Sequence, residues 1–230
     1  MGSNILYQKI RKYLEHRDSF YRCEGKLATI PIIKFIEKHN NRCYGKLVDV
    51  GCGSKPYKEY FSCIEKYIGI DITNTAEIIA DAKLLPIKSN SVDCVLCNQL
   101  IEHDPEPSKI FVEIYRILKK GGILILSAPQ MGRLHGEPHD YYRYTKWGLK
   151  YLLEKNSMEI ELIEPHGGFF RAIGSHLNFF LLDYFGKNKY IRYLIKHTII
   201  LFNNFIFTVL EKTIDWKKDT LGYNIIAKKK

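Results

Sequence analysis

The chain has 230 residues and a formal net charge of +10, with 46% hydrophobic and 26% charged residues. At about 100–200 residues per domain this is one domain with room for an appendage. The composition sits near the globular average of about 45–50% apolar and about 25% charged, which excludes a disordered chain, a collagen-like fibre and a coiled coil.

Six cysteines (Cys23, Cys43, Cys52, Cys63, Cys94 and Cys97) are dispersed along the chain, and Met1 to Ile5 show no charged segment leading into an apolar run. The expectation is a cytoplasmic protein with reduced thiols. Residues 1–46 carry ten Lys/Arg against four Asp/Glu, residues 183–230 again ten against four, and the middle fifteen against seventeen. Basic ends of this kind attract phosphate, nucleic acid or an anionic membrane surface, or simply keep a surface solvated.

In chain order, residues 5–17 read as an amphipathic helix, with Ile5, Ile10, Tyr13 and Leu14 on one side. A second helix is expected within 25–39, kinked or restarted at Pro31. Short apolar runs then predict strands at 46–50, 67–72, 77–82, 92–98 and 122–129, and a last one at 222–229. Ile110, Ile114, Ile117 and Leu118 predict a helix over 108–120, with Gly121-Gly122 as its stop, and Thr145 predicts the N-cap of a helix over 145–156. Alternation of strand and helix implies a doubly wound, largely parallel α/β sheet.

Residues 169–215 break the alternation: they are strongly apolar and aromatic, and read as a helical insertion before the last strand. Their longest apolar run, Thr198 to Leu210, has thirteen residues and contains Asn203-Asn204. A membrane-spanning helix needs about 20, so a span is not expected. A lid over an apolar pocket, an oligomer contact and a helix lying in a membrane interface remain open. The chain thus divides into an N-terminal helical extension (1–45), a core (46–168), the insertion (169–215) and a final strand with a basic tail (216–230).

The chemistry centres on Val48-Asp49-Val50-Gly51-Cys52-Gly53, a strand running into a two-glycine turn at the place where a doubly wound sheet binds nucleotide-like ligands. Pro56 stands where a dinucleotide fingerprint needs its third glycine, and the Asp49 carboxylate would repel a pyrophosphate. It suits the ammonium of an amino-acid ligand instead. Asp71, twenty residues after Gly51, can accept both ribose hydroxyls, and Ala80-Asp81-Ala82 suits an adenine amino group and ring.

These segments, with ADAKLLPIKSNSVDCVLCNQLIEHDPEP and ILKKGGILILSAP, resemble the successive motifs of class I S-adenosylmethionine-dependent methyltransferases over about residues 46–165 and 222–229. The resemblance implies S-adenosylmethionine as cofactor and a Rossmann-like, seven-stranded, mostly parallel sheet whose last strand is antiparallel. It further implies that Gly51, Cys52 and Gly53 form the turn beneath the methionine part, and that Asp49 reaches its amino group. Asp71 would bind the ribose with Ile72 against the adenine, Asp81 and Ala82 would flank the base, and Asn98 and Gln99 would lie near the methionine end.

The acceptor is less sharply marked. Asn98-Gln99-Leu100-Ile101 is not the Asn/Asp-Pro-Pro-Tyr/Phe motif of adenine-methylating relatives, and the chain has no Pro-Cys pair for a cytosine methylase. Cys94 and Cys97, three apart on a strand, should point to opposite faces and pack in the core. The stretch HGEPHDYYRYT (135–145) resembles a P-H-D-Y-Y/W-R-Y-T stretch in methyltransferases with saccharide or lipid-linked substrates. Methyl transfer to a hydroxyl needs alignment and a base, and a histidine with an ordinary pKa near 6.5 suits the latter. His139 is the favoured base, His103 the alternate, and Tyr142 a third candidate; His166, His176 and His197 receive no role, and no metal site is expected.

The reading is therefore a methyltransferase for a small-molecule, saccharide or lipid-linked acceptor, most readily at oxygen. A peripheral membrane contact through 169–215 and a homo-oligomer are both compatible with it. An RNA methyltransferase using the basic ends is not favoured, for want of an aromatic–basic recognition motif, and a non-catalytic binding protein or an NAD-dependent enzyme ranks lower.

Overall fold

The computed structural model describes residues 23–214 and 216–230. The helix expected at 5–17 lies outside them. Seven strands form one sheet: β1 (Gly45–Val50), β2 (Ile64–Asp71), β3 (Ile78–Ile79), β4 (Val92–Asn98), β5 (Leu118–Pro129), β6 (Met158–His166) and β7 (Gly222–Lys229). Their order is β3-β2-β1-β4-β5-β7-β6, parallel except for β7, which runs antiparallel to both neighbours. The helices are α1 (Lys26–His39), α2 (Pro107–Ile117), α3 (Lys146–Lys155), α4 (Phe169–Tyr184), α5 (Lys189–His197) and α6 (Ile199–Thr213).

The two-residue period of the strands sorts the core into two layers. Val48, Val50, Val95, Cys97, Leu124 and Leu126 face α2 and α3, meeting Ile110, Phe111, Ile114, Leu149 and Leu153. Leu47, Cys94, Leu96 and Ile125 face the other way, onto Ile32, Ile33, Phe35 and Ile36 of α1. Cys94 and Cys97 are thus buried on opposite faces, as their spacing requires. Thr145 caps α3, its side chain accepting from the Gly148 N–H.

Four local expectations need correction. α2 ends at Ile117 rather than at the Gly121-Gly122 pair, because Leu118 already enters β5; Gly121 sits inside that strand at φ 76°. β3 has only two residues, so Asp81 lies beyond it, in a turn where its carboxylate accepts from the Lys83 N–H at 2.8 Å. β6 was not among the strands read from residues. It is an edge strand paired only with β7, which is why Pro165 is tolerated near its end. The alternation of Glu159 and Glu161 with Ile160 and Leu162 was the signal available for it. Finally, the basic tail is not simply solvated: Lys229 is buried and donates to the carbonyls of Tyr115 and Leu118 at 2.6 and 2.8 Å, satisfying the end of α2.

Pro31 neither stops α1 nor starts a new segment; the helix runs through it. A proline has no N–H, so the carbonyl four residues earlier, that of Leu27, loses its helical partner. Arg171 of α4 supplies the replacement, its Nη1 lying 3.3 Å from that oxygen. Arg171 is buried, and its backbone N–H donates to the buried Glu211 of α6. A second set of polar contacts runs alongside. Asn178 donates to Asn204, Asn203 donates to Asn178 and to the Gly174 carbonyl, and Asn178 also reaches the Glu24 carbonyl. Gly174 is where α4 meets its neighbours most closely, since a Cβ there would fall 2.7 Å from both Leu27 and Phe207.

The described part of the insertion is three helices joined by short turns, and the thirteen-residue count understated the last of them. Residues 189–213 form a helical run of 25, broken only at Thr198, that is long and apolar enough by length and composition to cross a membrane. In the fold, α6 instead packs on α4 and buries Ile200, Asn203 and Glu211 there. Arg171→Leu should lower stability by about 1–3 kcal/mol, the cost of leaving a buried carbonyl unsatisfied. In a Pro31→Ala background, where the helix can satisfy Leu27 itself, the same change should cost measurably less. Urea unfolding of the four-protein cycle reads the coupling, and strict additivity would refute the pairing.

Candidate active site

The cleft opens where strand order reverses, at the carboxyl ends of β1 and β4. It encloses about 350 Å³ and is lined by Asp49, Gly51, Cys52, Gly53, Asn98 and Gln99 from the sheet edge, Thr29 and Ile32 from α1, and His166 from the end of β6. Gly51 is obligatory for this shape: it has φ 73°, and a Cβ there would lie 2.8 Å from Leu100. The turn is tied to β2, since the Gly51 N–H donates to the Ile70 carbonyl at 2.8 Å and the Gly53 N–H to the Asp71 carboxylate at 2.9 Å.

Asp49 is 2% exposed and accepts a short hydrogen bond from the Tyr67 hydroxyl. Burial raises its carboxyl to about 7, against the opposing pull of that hydrogen bond. Burial and the Asp49 charge also push the Tyr67 phenol well upward, so the phenol is the donor. Both polar atoms of the Asn98 amide are buried without a partner among the described residues. Gln99 adopts φ 48°, a conformation rarely taken outside glycine, and its N–H and side chain are both fixed to Ser127. A buried carboxylate, an unpartnered amide and a glycine cradle together fit the amino-acid end of S-adenosylmethionine.

Four of the other sequence-predicted residues lie along the same edge, outside the cleft lining. Asp71 ends β2, its second oxygen accepting from the Thr73 N–H and hydroxyl. Ile72 is 78% exposed beside it, while Asp81 and Ala82 follow β3. His166 was given no role by the sequence reading, yet it lines the cleft. It is buried, its Nδ1 has no partner among the described residues, and burial lowers its pKa to about 4, so it is neutral. Its position opposite Gly222 at the end of an unrecognised strand explains why it could not be placed from sequence.

The loop 135–145 is stitched to the turn after β4. The N–H groups of Tyr141 and Tyr142 donate to the Glu102 carbonyl, the Tyr144 hydroxyl to the Ile101 carbonyl, and the Tyr142 hydroxyl to the Pro105 carbonyl. Asp140 anchors it: a two-pronged contact with Arg143 at 2.6 and 2.8 Å holds its carboxyl well below the usual range. His139 is exposed, with Nδ1 3.2 Å from the Tyr141 hydroxyl, and its carbonyl lies 2.5 Å from His103 Nδ1. His103 and His139 thus touch each other, Tyr142 is tied to the same turn after β4, and none of the three is among the residues that line the cleft.

Sheet order, cleft and turn are those of a Rossmann-like α/β fold of the methyltransferase type. Residues 48–126 match the family model described as a methyltransferase domain. The ubiquinone biosynthesis O-methyltransferase of Methylococcus capsulatus is 27% identical over 148 residues, 54% of this chain and 62% of that protein. The chain thus spans less than two thirds of that relative's length. Among solved structures, a possible histamine N-methyltransferase of Thermotoga maritima superposes with a TM-score of 0.58 at 16% identity, over 95% of this chain and 97% of that one. A Haemonchus contortus phosphoethanolamine N-methyltransferase 2, solved with S-adenosylhomocysteine, gives 0.54 at 16% identity, over 86% of this chain and 52% of its own. Residues 48–126 thus carry a methyltransferase domain, within a fold shared with S-adenosylmethionine-dependent methyltransferases.

The raised Asp49 carboxyl has a direct consequence. It ionises near 4 in an unfolded chain and near 7 in the cofactor-free fold. This group's contribution to stability therefore falls as pH rises across that window. A ligand ammonium needs the ionised form, so affinity for S-adenosylhomocysteine should rise by up to about tenfold per pH unit from 5 to 7 and level off above. Asp49→Asn should bind about tenfold or more weakly at pH 8 and lose the slope. Calorimetric titration across pH checks both, and an unchanged slope in the variant would assign the effect elsewhere.

Proposed function

We propose that the chain transfers the methyl group of S-adenosylmethionine to a hydroxyl of a saccharide carried on a lipid, working at an anionic membrane surface on the cytoplasmic side. The observation that carries this reading is the outer face of the insertion. Phe202 and Phe205 of α6 are 67% and 64% exposed, and Tyr190, Tyr193, Leu194, Phe180 and Tyr184 are exposed with them. Lys187, Lys189, Lys212 and Lys218 are exposed around this apolar surface. Aromatic side chains beside lysines suit the boundary between acyl chains and anionic headgroups.

The insertion also backs one wall of the cleft. α4 packs on α1, which supplies Thr29 and Ile32 to the cleft wall. Between α4 and the loop after β5 lies an apolar groove of about 500 Å³, lined by Phe179, Phe180, Tyr184, His176, Arg133 and Lys187. Such a groove suits an acyl or isoprenoid chain, with Lys187 toward a linking phosphate; Arg133 is already paired with the groove's Asp183 and lies over the Phe179 ring. The bound cofactor supplies an electrophilic methyl group on sulfur. The chain's own contribution is to hold the amino-acid end through Asp49 and Asn98, to align the acceptor oxygen, and to take its proton on the exposed imidazole of His139. His166, neutral and facing the cleft, offers the acceptor a hydrogen-bonding wall.

Label transfer from methyl-tritiated S-adenosylmethionine to dodecyl glycosides, short-chain glycosides and the free sugars tests the acceptor class. Label should favour the long-chain acceptors, and labelling of free sugars alone would refute the lipid-linked reading. For the surface, Phe202→Ser combined with Phe205→Ser should weaken binding to phosphatidylglycerol vesicles by about tenfold or more. Affinity for S-adenosylhomocysteine should not change. Phe207, which packs against Gly174, is left intact because a polar group there would test core packing instead. Equal loss of vesicle and cofactor binding would make the exposed face a packing surface.

A further inference from the structure

The three side chains Glu102, His103 and His135 each offer one ligand atom, and these atoms all lie within 4.8 Å of one another. Two come from the turn after β4 and the third from the loop after β5. We infer that they form a binding site for a divalent transition-metal ion at the rim of the cleft.

Glu102 provides the first reason. It is 0% exposed, and neither carboxylate oxygen has a hydrogen-bond partner among the described residues. A buried carboxylate without a partner is costly, and proteins relieve that cost with a proton, a cation or a metal. His103 Nε2 lies 3.9 Å from one of these oxygens, and the two imidazole rings meet edge to face at 4.8 Å between centroids.

The imidazoles provide the second. His103 Nδ1 is 2.5 Å from the His139 carbonyl, and His135 Nδ1 is 3.2 Å from the Arg133 carbonyl, with an oxygen of Asp140 at 3.5 Å. Carbonyls only accept, so each Nδ1 carries the proton and each Nε2 keeps its lone pair. Arg143 Nη2, 3.5 Å from His135 Nδ1, bonds Asp140 at 2.8 Å. Orientation of metal-binding histidines by a carbonyl or carboxylate on the far nitrogen is the usual outer-shell arrangement of such sites. Here both histidines have it without a metal being invoked to explain it.

Two imidazole nitrogens and one carboxylate favour Zn²⁺, Co²⁺, Mn²⁺ or Fe²⁺ over Ca²⁺ or Mg²⁺, which prefer all-oxygen shells. Bonds of about 2.0–2.2 Å place tetrahedral ligand atoms about 3.3 Å apart, so loading draws the rings inward by about an ångström. Both histidines are only partly buried, which leaves coordination positions open to water or to an acceptor oxygen. Gln99, which lines the cofactor cleft, sits on the same connection as Glu102 and His103. The further role of the ion as a Lewis acid toward an acceptor hydroxyl rests on the proposed function; its binding does not.

The test uses the full chain, stripped with a chelator and titrated with Co²⁺ and then Zn²⁺. One equivalent of Co²⁺ should bind at micromolar concentration with visible d–d absorption, and Zn²⁺ should abolish that spectrum by displacement. Glu102→Gln and His135→Ala should each weaken Zn²⁺ binding at least thirtyfold and remove the zinc-dependent rise in melting temperature. His135→Ala, a change in a partly exposed loop side chain, should still bind S-adenosylhomocysteine like the parent. Absence of micromolar metal binding, or binding that survives both substitutions, would overturn the site. Loss of S-adenosylhomocysteine binding by the parent with metal binding intact would count against the proposed function and leave the metal site standing.

Discussion

The reversal of strand order between β1 and β4 is the constraint on which the rest of the molecule depends. From β1 the chain proceeds to β2 on one side, and after β4 it turns to β5 on the other. Connections that diverge in this way cannot close over the carboxyl ends of the two strands between them, so a crevice must open there. What the crevice can hold is then set by the few residues at its floor. Gly51 lets the backbone turn sharply enough to leave room, Asp49 puts a carboxyl under the turn, and Asn98 adds an amide with no partner among the described residues. A protein interior tolerates groups of this kind only where a ligand supplies the missing partners.

The parts of the fold legible in the sequence were those with a strong local pattern. The strands around Leu47, Val95 and Leu124 are continuous apolar runs, as parallel strands buried on both faces must be. The opposed burial of Cys94 and Cys97 followed from strand geometry alone. The failures came where local pattern and tertiary context part company. β6 carries three glutamates and a proline because one of its edges is open, and that weakens the signature by which buried strands are recognised. Pro31 looks like a break, and is one only if no side chain from elsewhere can complete the hydrogen bonding; Arg171, 140 positions later, does so.

The site divides in the same way. Asp49, Gly51, Cys52, Gly53, Asn98 and Gln99 are close in sequence to strand ends, so their convergence could be read directly. His166 belongs to the cleft only because β7 carries β6 back to the sheet edge, and no spacing rule expresses that. Glu102 and His135 are 33 positions apart, in two loops that meet because the N–H groups of Tyr141 and Tyr142 donate to the Glu102 carbonyl and the Tyr144 hydroxyl to the Ile101 carbonyl. Sequence reading saw the density of polar groups in 135–145. The arrangement of carbonyls that fixes the histidine tautomers is backbone geometry, which side-chain identity does not encode.

The link between Arg171 and the Leu27 carbonyl also bears on how such an insertion can be exchanged between proteins. Residues 169–215 look like a cassette, set between two strands and dispensable to the sheet. Yet their deepest contact is with a helix near the start of the chain, and that contact exists because of a proline in the helix. Recombination that moved the cassette into a scaffold whose first helix lacks this proline would bury a guanidinium against a carbonyl already occupied. The two segments are therefore a single heritable unit, although more than a hundred residues separate them, and divergence in one constrains divergence in the other.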